Sequence, residues 1–131
     1  MSTLKVGTIQ DTSGNNSSTP NEVANGRAKA WVNFNGSGTV AIIDSYNVAS
    51  ITDNGTGDYT INFTNAMTDA DYCVSGGVST NSGGQGYRWL AVGSDNNSDF
   101  SKTTSGVRVQ SAAQSDATTD APLVYAIIHG S

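Results

Sequence analysis

Apolar and polar residues alternate in short runs along the chain. Between residues 58 and 64, Tyr59, Ile61 and Phe63 fall on one side of an extended chain and polar residues fall on the other. A period of two is typical of a strand with one buried face. Similar runs predict eight strands, at 28–34, 39–43, 46–53, 57–64, 71–78, 86–92, 106–112 and 122–129. The pattern therefore predicts an all-β domain, an antiparallel β-sandwich of about eight strands.

Glycine-rich segments separate two pairs of these strands. They read NGSG at residues 35–38 and NGTG at residues 54–57. Glycine and asparagine tolerate the positive φ angles that tight hairpin turns need. We therefore expect one β-hairpin at each segment.

The last predicted strand is apolar on both sides. Leu123, Tyr125 and Ile127 share one face, and Val124, Ala126 and Ile128 share the other. A strand of this kind has both faces covered, because exposed apolar surface is costly in water. We expect it either at the centre of the domain or against another chain.

The first 27 residues have a different pattern. A short alternating run is followed by a polar segment and then by Thr19, Pro20 and Glu22, which form the signature of a helix capping box. The sequence predicts a neck and linker at 1–27 with a one-turn helix near 20–25, followed by the sandwich at 28–131.

Composition supports a β-rich chain with a thin core. Ser, Thr, Asn and Gly make up 60 of the 131 residues, whereas Leu, Ile, Val and Phe supply 24. Val and Ile outnumber Leu, which fits a pleated sheet better than a helical bundle. A core this small favours stabilisation by neighbouring copies of the chain.

Charge and cysteine usage exclude several classes of partner. The net charge of −5 is unfavourable for binding a phosphate backbone, so no nucleic-acid partner is expected. No apolar run approaches the roughly 20 residues that span a bilayer, so no membrane insertion is expected. The single cysteine, Cys73, cannot form an internal disulfide, and its apolar neighbours predict a buried side chain.

The sequence offers little catalytic chemistry. His129 is the only histidine and lies beside the end of the chain, which argues against a multi-histidine metal site or a catalytic triad. We therefore predict no enzyme, no catalytic residues, no cofactor and no metal. A calcium ion between Asp53 and Asp58 stays open as an alternative to an ordinary hairpin turn.

Long polar loops are the predicted binding elements. Loops at 79–85, 93–105 and 113–121 join strands without structure of their own, and such loops commonly carry function. The predicted binding residues are Asn81, Gln85, Tyr87 and Arg88 in the first loop region and Asn96, Asn97 and Lys102 in the second. Trp31 and Trp89 are assigned to the core, while Tyr87 is equally compatible with core and surface.

Four segments resemble the distal part of tail-fibre proteins of tailed bacteriophages, including marine and cyanobacterial phages. They read VGTIQDTSG at 6–14, STPNE at 18–22, GRAKAWVNFNG at 26–36 and YNVASITDNGTGDYTINFT at 46–64. The resemblance covers about residues 6–78. It implies a trimeric tip that touches the host cell surface in the extracellular virion, joined to upstream fibre and virion proteins. It identifies no catalytic residue and no receptor.

The expected function is therefore attachment of a virion to a host glycan or outer-membrane protein, without catalysis. Two alternatives remain. One is a purely structural, trimerising fibre module, and the other is the binding module of a glycan-degrading tailspike.

Overall fold

A computed structural model of the protein describes residues 1–79, 87–93, 102–113 and 117–130. Within them the chain forms one helix and nine strands. The elements are α1 (Pro20–Gly26), β1 (Ala28–Asn35), β2 (Ala41–Tyr46), β3 (Val48–Gly55), β4 (Asp58–Phe63), β5 (Cys73–Val78), β6 (Arg88–Val92), β7 (Lys102–Thr103), β8 (Gly106–Ala113) and β9 (Val124–His129). The eight predicted strands are all present. The short strand β7 lies inside the predicted loop 93–105, so that loop is shorter than expected.

The strands form two antiparallel sheets. The first has the order β2-β1-β9-β5, and the second has the order β3-β4-β8-β6, with β7 pairing β8. Both predicted hairpins are confirmed, because β1 pairs β2 and β3 pairs β4. The prediction of an all-β sandwich is confirmed.

The core lies between the two sheets and follows the period-two pattern. Its members are Ala30, Val32 and Phe34 of β1, Tyr59, Ile61 and Phe63 of β4, Val107 and Val109 of β8, and Val124, Ala126 and Ile128 of β9, with Met67, Tyr72 and Ala121 from the connections. Phe34 meets Tyr59 edge to face across the two sheets, with ring centroids 5.1 Å apart. Edge-to-face pairs of this kind add to the stabilisation from burial alone.

Asn47 forms the corner at which the chain passes from one sheet to the other. It is the one residue between β2 and β3, and its φ of 55° is unusual for a residue with a side chain. Its amide nitrogen donates to the carbonyl oxygens of Lys29 and Asn65, at 3.0 and 3.2 Å. Its amide oxygen accepts from the backbone N–H of Asn65 at 2.8 Å. These hydrogen bonds connect the corner to Lys29 near the start of β1 and to Asn65 just after the end of β4.

Replacing Asn47 should destabilise the fold through two separable effects, the loss of side-chain hydrogen bonds and the cost of the positive φ angle. Asn47→Ala loses the side-chain hydrogen bonds and keeps an unfavourable positive φ, so we expect a loss of about 1–3 kcal/mol in the free energy of unfolding. Asn47→Gly loses the same hydrogen bonds but tolerates the backbone angle. Urea unfolding should therefore rank wild type above Asn47→Gly and Asn47→Gly above Asn47→Ala. Equal stability of the two variants would contradict a cost from the backbone angle.

Strand β9 lies centrally in its sheet, yet one of its faces remains exposed. Val124, Ala126 and Ile128 are buried, as the core requires. Tyr125 and Ile127 on the opposite side are 50% and 43% exposed. The second face is therefore not covered within the described residues of one chain, and its contact with another chain stays a prediction.

Three side chains assigned to the interior lie elsewhere. Trp31 is half-buried and alternates with the buried Ala30 and Val32, so it lies on the outer face of the first sheet. Trp89 is 42% exposed, and Cys73 is exposed at the start of β5. For Trp31 and Cys73 the apolar neighbours were a poor guide, because in a strand the adjacent residues point the opposite way.

The N-terminal arm, residues 1–27, forms a small unit of its own. The backbones of Ile9 and Ser18 exchange two hydrogen bonds, which closes a hairpin. Helix α1 has the predicted capping box, in which the Thr19 hydroxyl accepts from the Glu22 N–H and the Glu22 carboxylate accepts from the Thr19 N–H. No residue of α1 is buried. The arm therefore carries apolar side chains that the sandwich does not cover.

Candidate binding surfaces

Exposed apolar side chains are concentrated on three surfaces. Among the described residues, thirteen large apolar side chains are exposed. The arm carries Met1, Leu4, Val6, Ile9 and Val23, the outer face of the first sheet carries Ile43, Tyr46, Leu123, Tyr125 and Ile127, and the β6 edge carries Tyr87, Trp89 and Val92. Scattered exposed apolar residues are ordinary, but contiguous groups mark interaction sites.

The first candidate is the edge surface, which we define as Tyr87 and Trp89. Strand β6 is an edge strand of the second sheet. Tyr87, immediately before it, is 83% exposed, and Trp89 is 42% exposed. Leu90 packs against the core from the other side of the strand. The two aromatic rings therefore project outward at the rim of the sheet.

A row of polar side chains lies farther along β8 and β4 on the same face of the sheet. The cross-strand pairs Ala91 with Gln110, and Gln110 with Asp58, place these residues on one face. Arg108 binds the Asp58 carboxylate with two nitrogens, and Nε lies 2.7 Å from Oδ1. Gln110 Nε2 donates to the same carboxylate at 3.1 Å. This fork-like pairing fixes the plane of the Arg108 guanidinium, while Asp58 and Gln110 themselves are buried.

The pKa of the Asp58 carboxyl lies below its usual value. Burial raises this pKa, but the hydrogen bonds from Arg108, Gln110 and Asn54, with the charge of Arg108, outweigh that effect. A carboxylate whose pKa is depressed by folding stabilises the fold above its unfolded pKa of about 3.9. That stabilisation is lost as pH falls through the lower folded pKa.

The variant Asp58→Asn should therefore change how the free energy of unfolding depends on pH at acid pH. At neutral pH it removes the carboxylate that accepts from Arg108 and Gln110, and we expect a loss of about 1–3 kcal/mol in the free energy of unfolding. Below about pH 4 the wild type loses this contribution, so the two curves should converge. Thermal unfolding of both proteins from neutral to acid pH measures the difference. Parallel curves would contradict the role of the Asp58 charge.

The predicted binding residues fall into three groups. Asn81, Gln85, Asn96 and Asn97 lie outside the described residues. Arg88 and Lys102 are engaged inside the domain: Arg88 Nη1 donates to the carbonyl oxygen of Asp120 at 3.0 Å, and Lys102 Nζ donates to that of Tyr72 at 2.9 Å. Of the predicted residues within the described segments, Tyr87 alone projects freely outward.

Trp89 is the residue at this edge that the sequence interpretation assigned wrongly. The alternation of Tyr87, Arg88, Trp89 and Leu90 allows either face to be the inner one. The chain places Arg88 on the inner side because its long aliphatic stem can lie along apolar surface while its head reaches the Asp120 carbonyl. Leu90 could have decided the orientation, because its side chain has no polar group and therefore favours the inner face of the strand.

The two carboxylates of the turn considered as a calcium site, Asp53 and Asp58, already accept hydrogen bonds within the protein. Asp53 Oδ1 accepts from the Gly55 N–H at 3.0 Å, and both oxygens of Asp58 are bound by Arg108. A cation at this turn would have to displace that guanidinium, so the donor set fits a hairpin turn better than a calcium site. Within the residues that the structure describes, no three side chains of His, Cys, Asp or Glu are grouped to hold a metal ion.

The second candidate is the apolar face, which we define as Trp31, Ile43, Tyr46, Leu123, Tyr125 and Ile127. Trp31 lies between Tyr46 of β2 and Ile127 of β9 in one cross-strand row. Tyr125 lies in the next row, beside Gly77 of β5, where an added Cβ atom would lie 2.6 Å from the Tyr125 hydroxyl. Glycine at position 77 therefore allows the tyrosine ring to lie flat across the sheet.

Comparison with known proteins gives no relative. No family model, no curated protein and no solved structure matches the chain. Helix α1 has seven residues, and no helix in the described segments is long and apolar enough to cross a membrane.

Proposed function

We propose that the protein is a non-catalytic receptor-binding tip of a bacteriophage tail fibre, which attaches the extracellular virion to a host surface glycan or outer-membrane protein. The observation that carries the proposal is the outward projection of Tyr87 and Trp89 on the strand that joins the two predicted recognition loops. Aromatic faces stack on the apolar C–H surfaces of sugars and also anchor protein interfaces.

Arg108 adds a partly exposed guanidinium on the same face of the sheet, and its pairing with Asp58 leaves little side-chain freedom to be lost on binding. The resemblance of residues 6–78 to tail-fibre tips supplies the biological setting.

The second candidate function is a purely structural fibre module that trimerises without touching the host. The apolar face favours it, because that surface suits contact between chains rather than contact with a glycan. The two functions are compatible in one protein, and they differ in whether the isolated chain binds cells.

Blocking of phage adsorption separates these candidates. The purified chain is incubated with marine bacteria and cyanobacteria before addition of phages that infect them, and free phage is counted. A receptor-binding tip reduces adsorption to at least one host strain, whereas a structural module leaves adsorption unchanged. Release of reducing sugars from host polysaccharide during the incubation would contradict the non-catalytic assignment and favour a tailspike.

We expect a homotrimer, with the number three taken from the resemblance. Three weak contacts on one fibre raise the overall affinity through their effective concentration. Light scattering at micromolar concentration should give three times the chain mass, and a stable monomer would contradict this part of the proposal.

A further inference from the structure

A polar depression with a volume of about 190 Å³ lies where the arm joins the sandwich. Arg27 connects α1 to β1, and Lys29 is the second residue of β1. Both side chains line the depression, together with Tyr46 of β2 and with Asn65 and Thr68 from the segment between β4 and β5. None of the described residues that line it is Asp or Glu. The depression is therefore a positive site on a chain whose net charge is −5.

The two cations of the depression have no partner in the fold. The cations at positions 88, 102 and 108 each donate a hydrogen bond inside the domain, at 3.0, 2.9 and 2.7 Å. In contrast, the side chains of Arg27 and Lys29 form no hydrogen bond or ion pair with any residue that the structure describes. Like charges on one small surface repel each other, and a bound anion removes that repulsion. The pair therefore favours an anionic ligand, held by charge-assisted hydrogen bonds.

Asn47 holds two sides of the depression in place. Its Nδ2 donates to the Lys29 carbonyl oxygen at 3.0 Å. Its Oδ1 accepts from the backbone N–H and from Nδ2 of Asn65, at 2.8 and 3.1 Å. The backbone positions of Lys29 and Asn65 are thus set before a ligand binds. A preformed site loses less conformational freedom on binding than a mobile one.

Three further side chains offer the contacts that a sugar ring needs. The Tyr46 side chain is 52% exposed, so its ring can stack on the apolar C–H surface of a sugar. Within the described residues, Asn65 Oδ1 and the Thr68 hydroxyl take part in no hydrogen bond, and both are available to the hydroxyl groups of a ligand. A volume of about 190 Å³ is the room of roughly six water molecules, which suits one sugar residue rather than a long segment.

We propose that this depression binds a uronate, the carboxylate-bearing sugar residue of an acidic polysaccharide. Arg27 and Lys29 bind the carboxylate. Tyr46 packs on the ring, and Asn65 and Thr68 bind its hydroxyl groups. The inference goes beyond the attachment proposed above, because it names a second site that shares no residue with the edge surface, together with the class of its ligand.

NMR titration of the full ¹⁵N-labelled chain tests the proposal. The probes are glucuronate and galacturonate, their neutral parents glucose and galactose, and acetate as a carboxylate without a ring. At least one uronate should bind about tenfold more tightly than its neutral parent and than acetate. Its binding should shift the backbone amide signals of Lys29, Asn47, Asn65 and Thr68. Added salt should weaken it, because salt screens exposed charges.

Single variants locate the contacts within the depression. Arg27→Gln and Lys29→Gln should each weaken uronate binding by about fivefold, as expected for one partly exposed ionic contact. The control Lys5→Gln makes the same change of net charge in the arm, outside the depression, and should bind as the wild type does. Tyr46→Ala should weaken uronate binding, whereas Tyr46→Phe should keep it. The NMR spectrum of each variant reports whether it is folded.

Several results would overturn the inference. Absence of binding by both uronates at millimolar concentration would remove the site. Equal binding of a uronate and its neutral parent would remove the role of the cations, and equal binding of acetate would leave only a general contact for carboxylates. Equal losses in Lys5→Gln and Lys29→Gln would attribute the effect to net charge.

The variant with alanine at positions 87 and 89 separates this site from the edge surface. It should bind the uronate as the wild type does, and loss of uronate binding in this variant would place the sugar at the edge surface and overturn the inference. Attachment to cells is measured separately. A failure of uronate binding therefore leaves the proposed function standing, and a failure of cell binding leaves this inference standing.

Discussion

Substitution of Tyr59 by alanine should cost about 3–5 kcal/mol in the free energy of unfolding, the largest stability effect expected for this chain. The side chain is completely buried and packs edge to face on Phe34 of the opposite sheet. Its hydroxyl donates to the Gly36 carbonyl oxygen at 2.6 Å and lies 3.2 Å from Asp120 Oδ1. A loss of this size is a large part of the roughly 5–15 kcal/mol that stabilises a typical domain. Thermal unfolding should show a melting temperature lower by about 10–20 °C.

The matched variant Tyr59→Phe separates packing from hydrogen bonding. Phenylalanine keeps the ring contact with Phe34 but leaves the Gly36 carbonyl and the Asp120 carboxylate without the hydroxyl, so we expect a loss of about 1–3 kcal/mol. Burial, together with the neighbouring Asp120 charge, also raises the pKa of Tyr59 above its usual value. The hydroxyl is therefore protonated and able to donate at neutral pH. Equal losses in the two variants would contradict a separate contribution from packing.

Replacing Tyr87 and Trp89 by alanine should remove most of the binding to host cells. Aromatic anchors of interfaces contribute about 2 kcal/mol or more each, which corresponds to a loss of affinity of about thirtyfold per ring. Both rings are exposed, and neither belongs to the buried core. The double variant should therefore keep its melting temperature within a few degrees while its cell binding falls by more than either single variant.

Two further variants control this experiment. Thr52→Ala changes an exposed residue of the same sheet at a distance from β6, and it should bind cells as the wild type does. Replacing residues 80–86 or 94–101 by short Gly-Ser linkers tests the predicted loop residues, including Asn81, Gln85, Asn96 and Asn97. The second exchange stops before Lys102, because β7 and its contacts with Tyr72 belong to the fold. Undiminished binding by the aromatic double variant, with loss in a loop exchange, would move recognition from the edge surface to that loop.

Most of the fold could be predicted from the sequence because the core depends on alternation. Tyr59, Ile61 and Phe63 fall on one face of β4 in the sequence and are buried together in the structure. The corner at Asn47 could not be predicted, since apolar and polar residues continue across it and only its positive φ separates β2 from β3. The helix start could be predicted because the capping box of Thr19 and Glu22 is local.

The candidate surfaces could be predicted only in part. Alternation gives two faces for β6 but does not say which one meets the core, so Trp89 was assigned to the interior. Arg88 was assigned to recognition, although its head group reaches the Asp120 carbonyl, which lies 32 residues along the chain. Such long-range partners depend on how the two sheets pack, which alternation does not encode. The apolar face is present in the sequence as the second apolar side of β9, but alternation does not say that the described residues leave it uncovered.

Receptor binding is measured by titrating the labelled, purified wild-type chain onto intact marine bacterial and cyanobacterial cells. We expect saturable binding to at least one strain, and loss of that binding in the folded variant with alanine at positions 87 and 89. Two results would contradict the proposed function. One is saturable binding that the double variant and both loop-exchange variants retain in full. The other is no saturable binding to any strain to which the matching phages adsorb.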